Sequence, residues 1–224
     1  MEDRIDEQLI NNYTRPNRKL KKLKAIIIHW TANTSRGADA QANRNYFNNL
    51  RPTYLPDGRV SKVYASAHYM VDDGTIIRCV PDDEMAYHVG ARYYKPIGED
   101  LRNHTPGDSP NYYTIGIEMC VNAGGDWEKT YKNTVELTRY LINKYNLSVN
   151  ELYRHYDITG KLCPQMMIEE EKWQAFKDAV LNSKGEDAPK EKLIQKGVVL
   201  VDGLNVRAGN SVKFPVVKVL NKDE

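Results

Sequence analysis

Cysteine is scarce in this sequence. The 224 residues include three cysteines, Cys79, Cys120 and Cys163, a small and odd number that does not suggest a disulfide framework. Long apolar runs are missing too, since no stretch approaches the roughly 20 apolar residues of a membrane span. The acidic N-terminus, MEDRIDEQLINNY, lacks the apolar core of a secretory signal. We therefore expect a soluble chain made in the cytoplasm, without membrane insertion, which something else must release if it works outside the cell.

A surplus of either charge sign is also missing. Lys and Arg number 32 against 30 Asp and Glu, a formal net charge of +2. This balance gives no reason to expect a nucleic-acid-binding protein, whose footprint is a strongly basic surface. Much of the local basicity lies between Arg15 and Lys24, where we favour a solvated lead-in over attraction to an anionic polymer. The sequence does not determine an oligomeric state.

The periodicity of the apolar residues mixes strands with helices. Strands are predicted at Lys24–Trp30, at Tyr113–Val121, and on both sides of an Asp72–Gly74 turn within Ser66–Val80. Helices are predicted within residues 37–50, over Asp126–Asn146 and over Ile168–Leu181. With 41% hydrophobic residues, the chain can bury one substantial core. We expect an α/β fold with a central mixed β-sheet flanked by helices.

The amino-acid composition changes after Leu181. We expect a main domain at 1–181, with a lead-in at 1–19, and a polar linker at 182–192 that carries Gly and Pro. Residues 193–224 follow as a short all-β segment with strand-like runs and Gly-containing turns. So small a unit is not expected to fold alone, and we interpret it as a truncated domain.

The segment YRHYDITGKLCP places His155, Lys161 and Cys163 close together. A disulfide would need Cys79 or Cys120, which are more simply interpreted as small apolar residues inside strands. A Cys163–His155 nucleophilic pair is a second interpretation, although such histidines are usually distant in sequence. Zinc is the third, because catalytic zinc takes three His, Cys or carboxylate ligands and leaves one position open for water.

His29 is the best candidate for a third zinc ligand. It stands at the carboxyl end of the apolar run AIIIH, where α/β sheets place their ligands. Taken alone, a histidine at the end of a core strand is more often structural. Two neutral imidazoles and one thiolate would leave a Zn²⁺ site with a net charge of +1, able to acidify a bound water.

Glu118 and Lys161 would supply the remaining chemistry of such a site. Glu118 lies inside a predicted strand, where a carboxylate is unfavourable without a partner, so it is either a satisfied ion pair or a general base. Lys161, two residues before Cys163, could stabilise a developing oxyanion, or it could be an ordinary loop lysine.

Five segments in order resemble a known enzyme family: IIIHWTAN, SAHYMVDDG, MAYHVG, IGIEMC and HYDITGKLCP. Together they are similar to the zinc-dependent N-acetylmuramoyl-L-alanine amidases of the peptidoglycan-recognition-protein and phage-lysozyme type, and most similar to the phage and prophage endolysin branch. The resemblance covers roughly Leu20 to Leu181. It implies peptidoglycan as the substrate, cleavage of the bond between N-acetylmuramic acid and L-alanine, and lysis of Gram-positive bacteria. A host autolysin and a non-catalytic peptidoglycan receptor are the alternatives, and Cys163 argues against the receptor.

The resemblance also implies roles for individual residues. His29, His155 and Cys163 match the zinc ligands, while Glu118 and Lys161 match the catalytic carboxylate and lysine. Ala67 stands where other branches carry a catalytic tyrosine, which puts more weight on Glu118. The C-terminal segment resembles the start of a bacterial Src-homology-3-type wall-binding domain.

Other residues near these segments are candidates for contacts with substrate. His88 matches a histidine of the family near the substrate groove, although a structural role is equally open, and Trp30, Thr31 and Asn33 directly follow the ligand strand. His68 is expected to be a packing residue or a residue that supports the site from behind its ligands. His104 is expected to be exposed in a long polar loop, Arg92 to Asn111, that could form part of the groove wall.

Overall fold

The computed structural model describes residues 1–182 and two further strands, 204–207 and 216–220. The strands are β1 (Ile5–Glu7), β2 (Ala25–Trp30), β3 (Thr53–Tyr54), β4 (Val60–Ser61), β5 (Tyr69–Val71), β6 (Ile76–Arg78), β7 (Thr114–Met119), β8 (Leu152–Arg154), β9 (Leu204–Arg207) and β10 (Val216–Leu220). The helices are α1 (Ala40–Asn49), α2 (Pro96–Leu101), α3 (Trp127–Lys144), α4 (His155–Thr159) and α5 (Glu170–Asn182).

The chain divides into two units, Met1–Pro189 and Lys190–Glu224. In the second unit, β9 and β10 form an antiparallel pair. Apart from Asn182, the predicted linker at 182–192 lies outside the described residues, as does the C-terminal segment other than these two strands. The predicted domain boundaries and the wall-binding segment therefore remain predictions.

A six-stranded mixed sheet in the order β1-β6-β5-β7-β2-β8 forms the centre of the first unit. The strands β5, β7, β2 and β8 are mutually parallel, whereas β6 runs antiparallel to β5. The predicted hairpin is confirmed, with Val71 opposite Ile76 and the Asp72 side chain accepting hydrogen bonds from the turn amides of Gly74 and Thr75. The fold class predicted for this unit is confirmed.

Helices cover both faces of the sheet because its central strands are apolar on both sides. Ile26 and Ile28 of β2 pack with buried residues of α3 and α5 such as Leu141 and Phe176. Ala25 and Ile27 point to the opposite face, where they pack with a second set that includes Ile158 of α4. The alternation along β2 follows from the two-residue repeat of a strand and decides which face receives His29.

The ends of the predicted helices follow from local hydrogen bonds. The Asp126 side chain accepts from the Lys129 amide and begins α3, as its position in the sequence predicts. Trp173, Phe176 and Val180 of α5 are buried on one stripe, as their spacing also predicts.

No helix in the described part of the chain is both long and apolar enough to cross a membrane.

The N-terminal residues differ from the expectation of a simple solvated lead-in. β1 pairs with the outer edge of β6, and Ile10 is only 1% exposed. Arg15 forms a two-pronged ion pair with Glu84, at 2.8 and 3.1 Å. Periodicity did not reveal this packing because the segment has no continuous strand or helix pattern. Its contacts are made with residues far along the chain.

Candidate active site

Neighbouring strand ends bring the predicted site residues together. His29 and Glu118 are register partners near the carboxyl ends of the parallel strands β2 and β7. His155 begins α4 immediately after β8, which pairs with the other side of β2. Because parallel strands end at the same edge of a sheet, three segments far apart in sequence converge there.

His29, His155 and Cys163 form a group that could hold a metal ion. Their candidate ligand atoms all lie within 4.8 Å of one another, and all three residues are buried. The two Nδ1 atoms are 3.0 Å apart, and the Cys163 Sγ lies 3.7 Å from the His29 Nδ1. Tetrahedral zinc would set such spacings at about 3.3 Å between two nitrogens and about 3.6 Å between nitrogen and sulfur. The donor set is one that zinc uses, and two of its spacings are close to the tetrahedral values.

The electrostatics of this group suit a cation. Burial lowers the pKa of His29 well below its usual value and lowers that of His155 to about 4, with the Lys161 charge adding to the shift of His155. Both imidazoles are therefore neutral at pH 7, as ligation requires. Burial, together with the nearby Glu118 carboxylate, raises the pKa of the Cys163 thiol to about 12. Such a thiol becomes a thiolate only beside a cation.

Glu118 carries an oxygen atom without a partner. Among the described residues, none forms a hydrogen bond with its buried Oε2. Burial raises the pKa of Glu118 to about 8, against the opposing effect of the Lys161 charge. A carboxyl group with a pKa near neutrality can both accept and return a proton, which general acid–base chemistry requires.

Lys161 lies at the rim of the site. The left-handed conformation of Gly160, with φ of 83°, ends α4 and turns the chain just before Lys161. Lys161 itself is exposed and lines the same cavity as Glu118 and His155. Its positive charge acts on both Glu118 and His155 and tends to lower the pKa of each.

The cavity above these residues has a volume of about 460 Å³. The predicted contact residues Trp30, Thr31 and His88 line it, together with Glu118. The Thr31 Oγ1 is buried there without a hydrogen-bond partner in the described part of the chain. The structure does not bring Asn33 to the cavity lining, and its side chain accepts a hydrogen bond from the Ser35 amide instead.

Sequence reasoning missed the aromatic wall of the cavity. The aromatic residues that line it are Tyr46 and Phe47 of α1 together with Tyr64 and Tyr87. Tyr46 and Tyr64 are 56% and 55% exposed, so their rings are open to a ligand in the cavity. Tyr46 within the polar run NRNYFNN was the one signal in the sequence that could have indicated this wall. Asn111, at the end of the predicted loop Arg92 to Asn111, also lines the cavity.

The other histidines occupy different settings. His68 is fully buried, where its Nδ1 accepts from the Gly116 amide and its Nε2 donates to the Glu84 carbonyl, which confirms a packing role. His104 is exposed, as predicted, and contacts Asp100. His88 contacts the site directly, with its Nδ1 3.0 Å from the His29 Nε2.

Comparison with known proteins places this arrangement in a family. The family model described as N-acetylmuramoyl-L-alanine amidase matches residues 19–166. The chain belongs to this amidase family. A probable N-acetylmuramoyl-L-alanine amidase of Bacillus licheniformis is 40% identical over 158 residues, which make up 69% of this chain and 40% of the relative. This member of the amidase family thus spans about two fifths of the length of this relative and of two other curated Bacillus relatives.

Solved structures agree with the family assignment. The catalytic domain of XlyA shares 30% identity at a TM-score of 0.60, over 79% of this chain and 98% of that domain. A mutant endolysin from Bacillus subtilis shares 31% identity at a TM-score of 0.61, over 79% of this chain and 97% of that protein. The resemblance stated from the five sequence segments is confirmed, and the five segments all lie within the family-matched region.

Proposed function

We propose that this chain is a zinc-dependent peptidoglycan hydrolase that cleaves the amide bond between N-acetylmuramic acid and the L-alanine of the stem peptide. The convergence of His29, His155 and Cys163 beside the unpartnered Oε2 of Glu118 carries this proposal. Membership of the amidase family supports the reaction type. The Bacillus relatives support a wall of Gram-positive type as the target.

His29, His155 and Cys163 would hold the zinc ion. Bound there, Zn²⁺ would supply Lewis acidity towards a water molecule and a substrate carbonyl. His29 comes from β2, whereas His155 and Cys163 come from the one segment that follows β8, so the folded sheet preorganises their donor atoms before metal arrives. Their burial excludes bulk water and strengthens the interactions of any charge at the site.

Glu118 acts as the proton-transfer group. Its unpartnered Oε2 accepts a proton from the attacking water, and the same oxygen then gives the proton to the nitrogen of the leaving L-alanine. No other hydrogen bond from the described residues competes for this oxygen. Lys161, exposed at the rim, places its ammonium near the developing oxyanion of the amide carbonyl.

The cavity wall would bind the polymer around the cleaved bond. Exposed tyrosine rings pack against sugar faces and peptide side chains while their hydroxyl groups stay hydrated. Tyr46 and Tyr64 present such rings, and Trp30 adds another aromatic surface beside the ligand strand. The buried hydroxyl of Thr31 can bond a polar group of the stem peptide.

The setting that we propose is that of a phage or prophage endolysin, which acts on the cell wall after its release from the cell. The solved endolysin from Bacillus subtilis supports this setting. A host autolysin would use the same chemistry. Lysis of cells by the purified protein does not distinguish an endolysin from an autolysin. Expression of the protein timed to phage induction would indicate an endolysin.

Purified cell walls provide the decisive assay. We expect the protein to release new amino termini of L-alanine, to stop after chelation, and to recover when zinc is added back. Mass spectrometry of the fragments should show intact N-acetylmuramic acid with a free lactyl carboxylate. Binding to walls without release would indicate a non-catalytic receptor. Cleavage unaffected by chelation but blocked by thiol alkylation would indicate a cysteine hydrolase.

A further inference from the structure

The two ring nitrogens of His29 face different partners. Its Nδ1 faces the His155 Nδ1 at 3.0 Å and the Cys163 Sγ at 3.7 Å, whereas its Nε2 faces the His88 Nδ1 at 3.0 Å. A neutral imidazole carries a hydrogen on one nitrogen and a lone pair on the other. Only the form with hydrogen on Nε2 leaves a lone pair on the Nδ1 that faces the candidate metal site.

Thr114 determines which nitrogen of His88 carries the hydrogen. The Thr114 hydroxyl donates to the Pro110 carbonyl at 2.9 Å, so its single hydrogen is already engaged. The Thr114 Oγ1 and the Thr114 carbonyl oxygen both face the His88 Nε2, at 3.1 and 3.4 Å. Two acceptors facing one ring nitrogen are satisfied only if that nitrogen bears hydrogen. His88 is therefore protonated on Nε2, and its Nδ1 is an acceptor.

The fold reserves space for the His88 ring. Gly116 lies between Thr114 and Glu118 on the same face of β7, and a Cβ atom at Gly116 would stand 2.5 Å from the His88 Nδ1. The Asn111 side chain also fixes the backbone, because its Oδ1 accepts from the amides of His88 and Val89 at 3.2 and 2.9 Å. The space beside Gly116 and the hydrogen bonds of Asn111 to the backbone thus fix the position of the ring.

We propose that His88 is a positioning residue in a hydrogen-bond relay from Thr114 through His88 to His29, and that this relay keeps the His29 Nδ1 free to ligate metal. The effect of the relay on metal affinity rests on the proposed zinc function, whereas the relay itself is formed by protein groups alone. It gives His88 a structural role in place of the predicted contact with substrate. Partners that fix a ligand tautomer typically change metal affinity by roughly 10- to 100-fold.

Nuclear magnetic resonance of the zinc-free protein tests the relay directly. Long-range proton–nitrogen correlations distinguish the two neutral tautomers of each histidine. We expect hydrogen on Nε2 for both His29 and His88. A His29 ring with hydrogen on Nδ1 overturns the proposal, whether or not the protein binds zinc.

Two variants of His88 test the consequence. His88→Leu fills much of the ring volume but removes the acceptor, whereas His88→Asn keeps an oxygen near the position of the Nδ1. In a competition with a chromophoric chelator, we expect zinc affinity to fall roughly 10- to 100-fold in His88→Leu and to stay within about threefold in His88→Asn. His104→Asn, at an exposed site, is the matched control and should bind as the parent protein does.

The outcomes separate this proposal from the proposed function. If the parent protein binds zinc and His88→Leu binds it equally well, the relay has no role and this inference is wrong. If the parent protein does not bind zinc, the zinc function is wrong, and the tautomer measurement still decides the relay. Equal losses of affinity in His88→Leu and His88→Asn would indicate packing alone and also overturn the inference. If His88→Leu does not fold, the tautomer measurement on the parent protein decides.

Discussion

His29 and Glu118 stand side by side on adjacent parallel strands, and their side chains leave the same face of the sheet. Both ring nitrogens of His29 have close partners. Glu118 keeps a buried oxygen, Oε2, without a hydrogen-bond partner in the described part of the chain. An unsatisfied buried polar atom costs about 1–3 kcal/mol, so Glu118 is held in a state that a bound water or substrate would relieve. One strand spacing, about 4.8 Å, thus separates the proposed metal ligand from the proposed proton-transfer group.

Replacement of Cys163 by alanine should abolish stoichiometric zinc binding, because two imidazoles alone leave the site without its thiolate charge. Zinc measured by mass spectrometry on purified protein checks this outcome. Cys79→Ala is the matched control, since Cys79 is also a buried free thiol but is not part of the ligand group. Full zinc content in Cys163→Ala would exclude Cys163 as a ligand.

Replacement of Glu118 by glutamine should leave zinc content unchanged and reduce turnover by about 10²- to 10⁴-fold, because a general base is removed. The free energy of unfolding should stay equal or rise, since a buried ionisable group becomes a neutral amide. Release of amino termini from cell walls, zinc analysis and urea unfolding check the three expectations.

Glu128→Gln, at an exposed position in the first turn of α3, is the control for that substitution. It should retain the activity and the stability of the parent protein. Activity of Glu118→Gln within a few-fold of the parent would remove Glu118 from the mechanism.

Replacement of Gly116 by alanine should weaken zinc binding, because the new Cβ would stand 2.5 Å from the His88 Nδ1 and displace the ring. We expect a loss of roughly 10-fold or more in affinity, of the size seen when partners of metal ligands are disturbed. Gly74→Ala is the control, since a Cβ there meets only the Asp72 side chain, at an ordinary 3.8 Å. Unchanged affinity in Gly116→Ala would mean that the ring can move without consequence.

Asp82 should make the fold sensitive to acid. Burial by itself raises the pKa of its carboxyl, but hydrogen bonds from Tyr145 and Tyr69 and the charges of Arg78 and Lys144 outweigh burial and lower the pKa below its usual value. A lowered pKa in the folded state contributes stability that is present above the unfolded pKa of about 3.9 and is lost as pH falls through the folded value. Asp82→Asn should therefore flatten the decline of unfolding free energy below about pH 5.

Asp83→Asn is the neighbouring control for this effect. Its carboxylate is largely exposed and pairs with the equally exposed Lys19, so its loss should change stability little. Urea unfolding of the three proteins at pH 7 and at low pH measures the difference. An unaltered pH dependence in Asp82→Asn would contradict the prediction.

Asn12 ties the N-terminal segment to the wall of the cavity. Its Nδ2 donates to the carbonyls of Phe47 and Asn48, both at 2.8 Å, at the end of α1. Asn12→Ala should lower the free energy of unfolding by about 1–2 kcal/mol, because these carbonyls lose their donor. Since α1 also carries Tyr46, we expect KM for cell-wall substrate to rise while kcat stays unchanged.

Asn11→Ala controls for the loss of an asparagine in the same segment. The side chain of Asn11 is exposed, and its contact with Asn48 uses the backbone amide, which the substitution retains. It should match the parent protein in urea unfolding and in steady-state kinetics. A kcat effect in Asn12→Ala larger than its KM effect would place the segment outside substrate binding.

Local pattern alone was sufficient for the main elements. The apolar run before His29 predicted β2, the Asp72–Gly74 turn predicted the hairpin, and the spacing of Trp173 and Phe176 predicted the buried face of α5. Each depends on neighbours within a few residues, where the repeat of a strand or helix and the chemistry of turns act directly. The closeness of His155 and Cys163 in the sequence likewise indicated a metal site, because one loop can bring both side chains to one point.

Tertiary structure alone decided which distant side chains meet. The contact of His88 with His29, the aromatic wall over the cavity and the packing of Ile10 join segments whose separation in sequence carries no periodic signal. Asn33 follows the ligand strand closely in the sequence, yet the fold does not place it in the lining of the cavity. The physical reason is that strand register and the order of strands in the sheet fix these meetings, and both depend on the packing of the whole core.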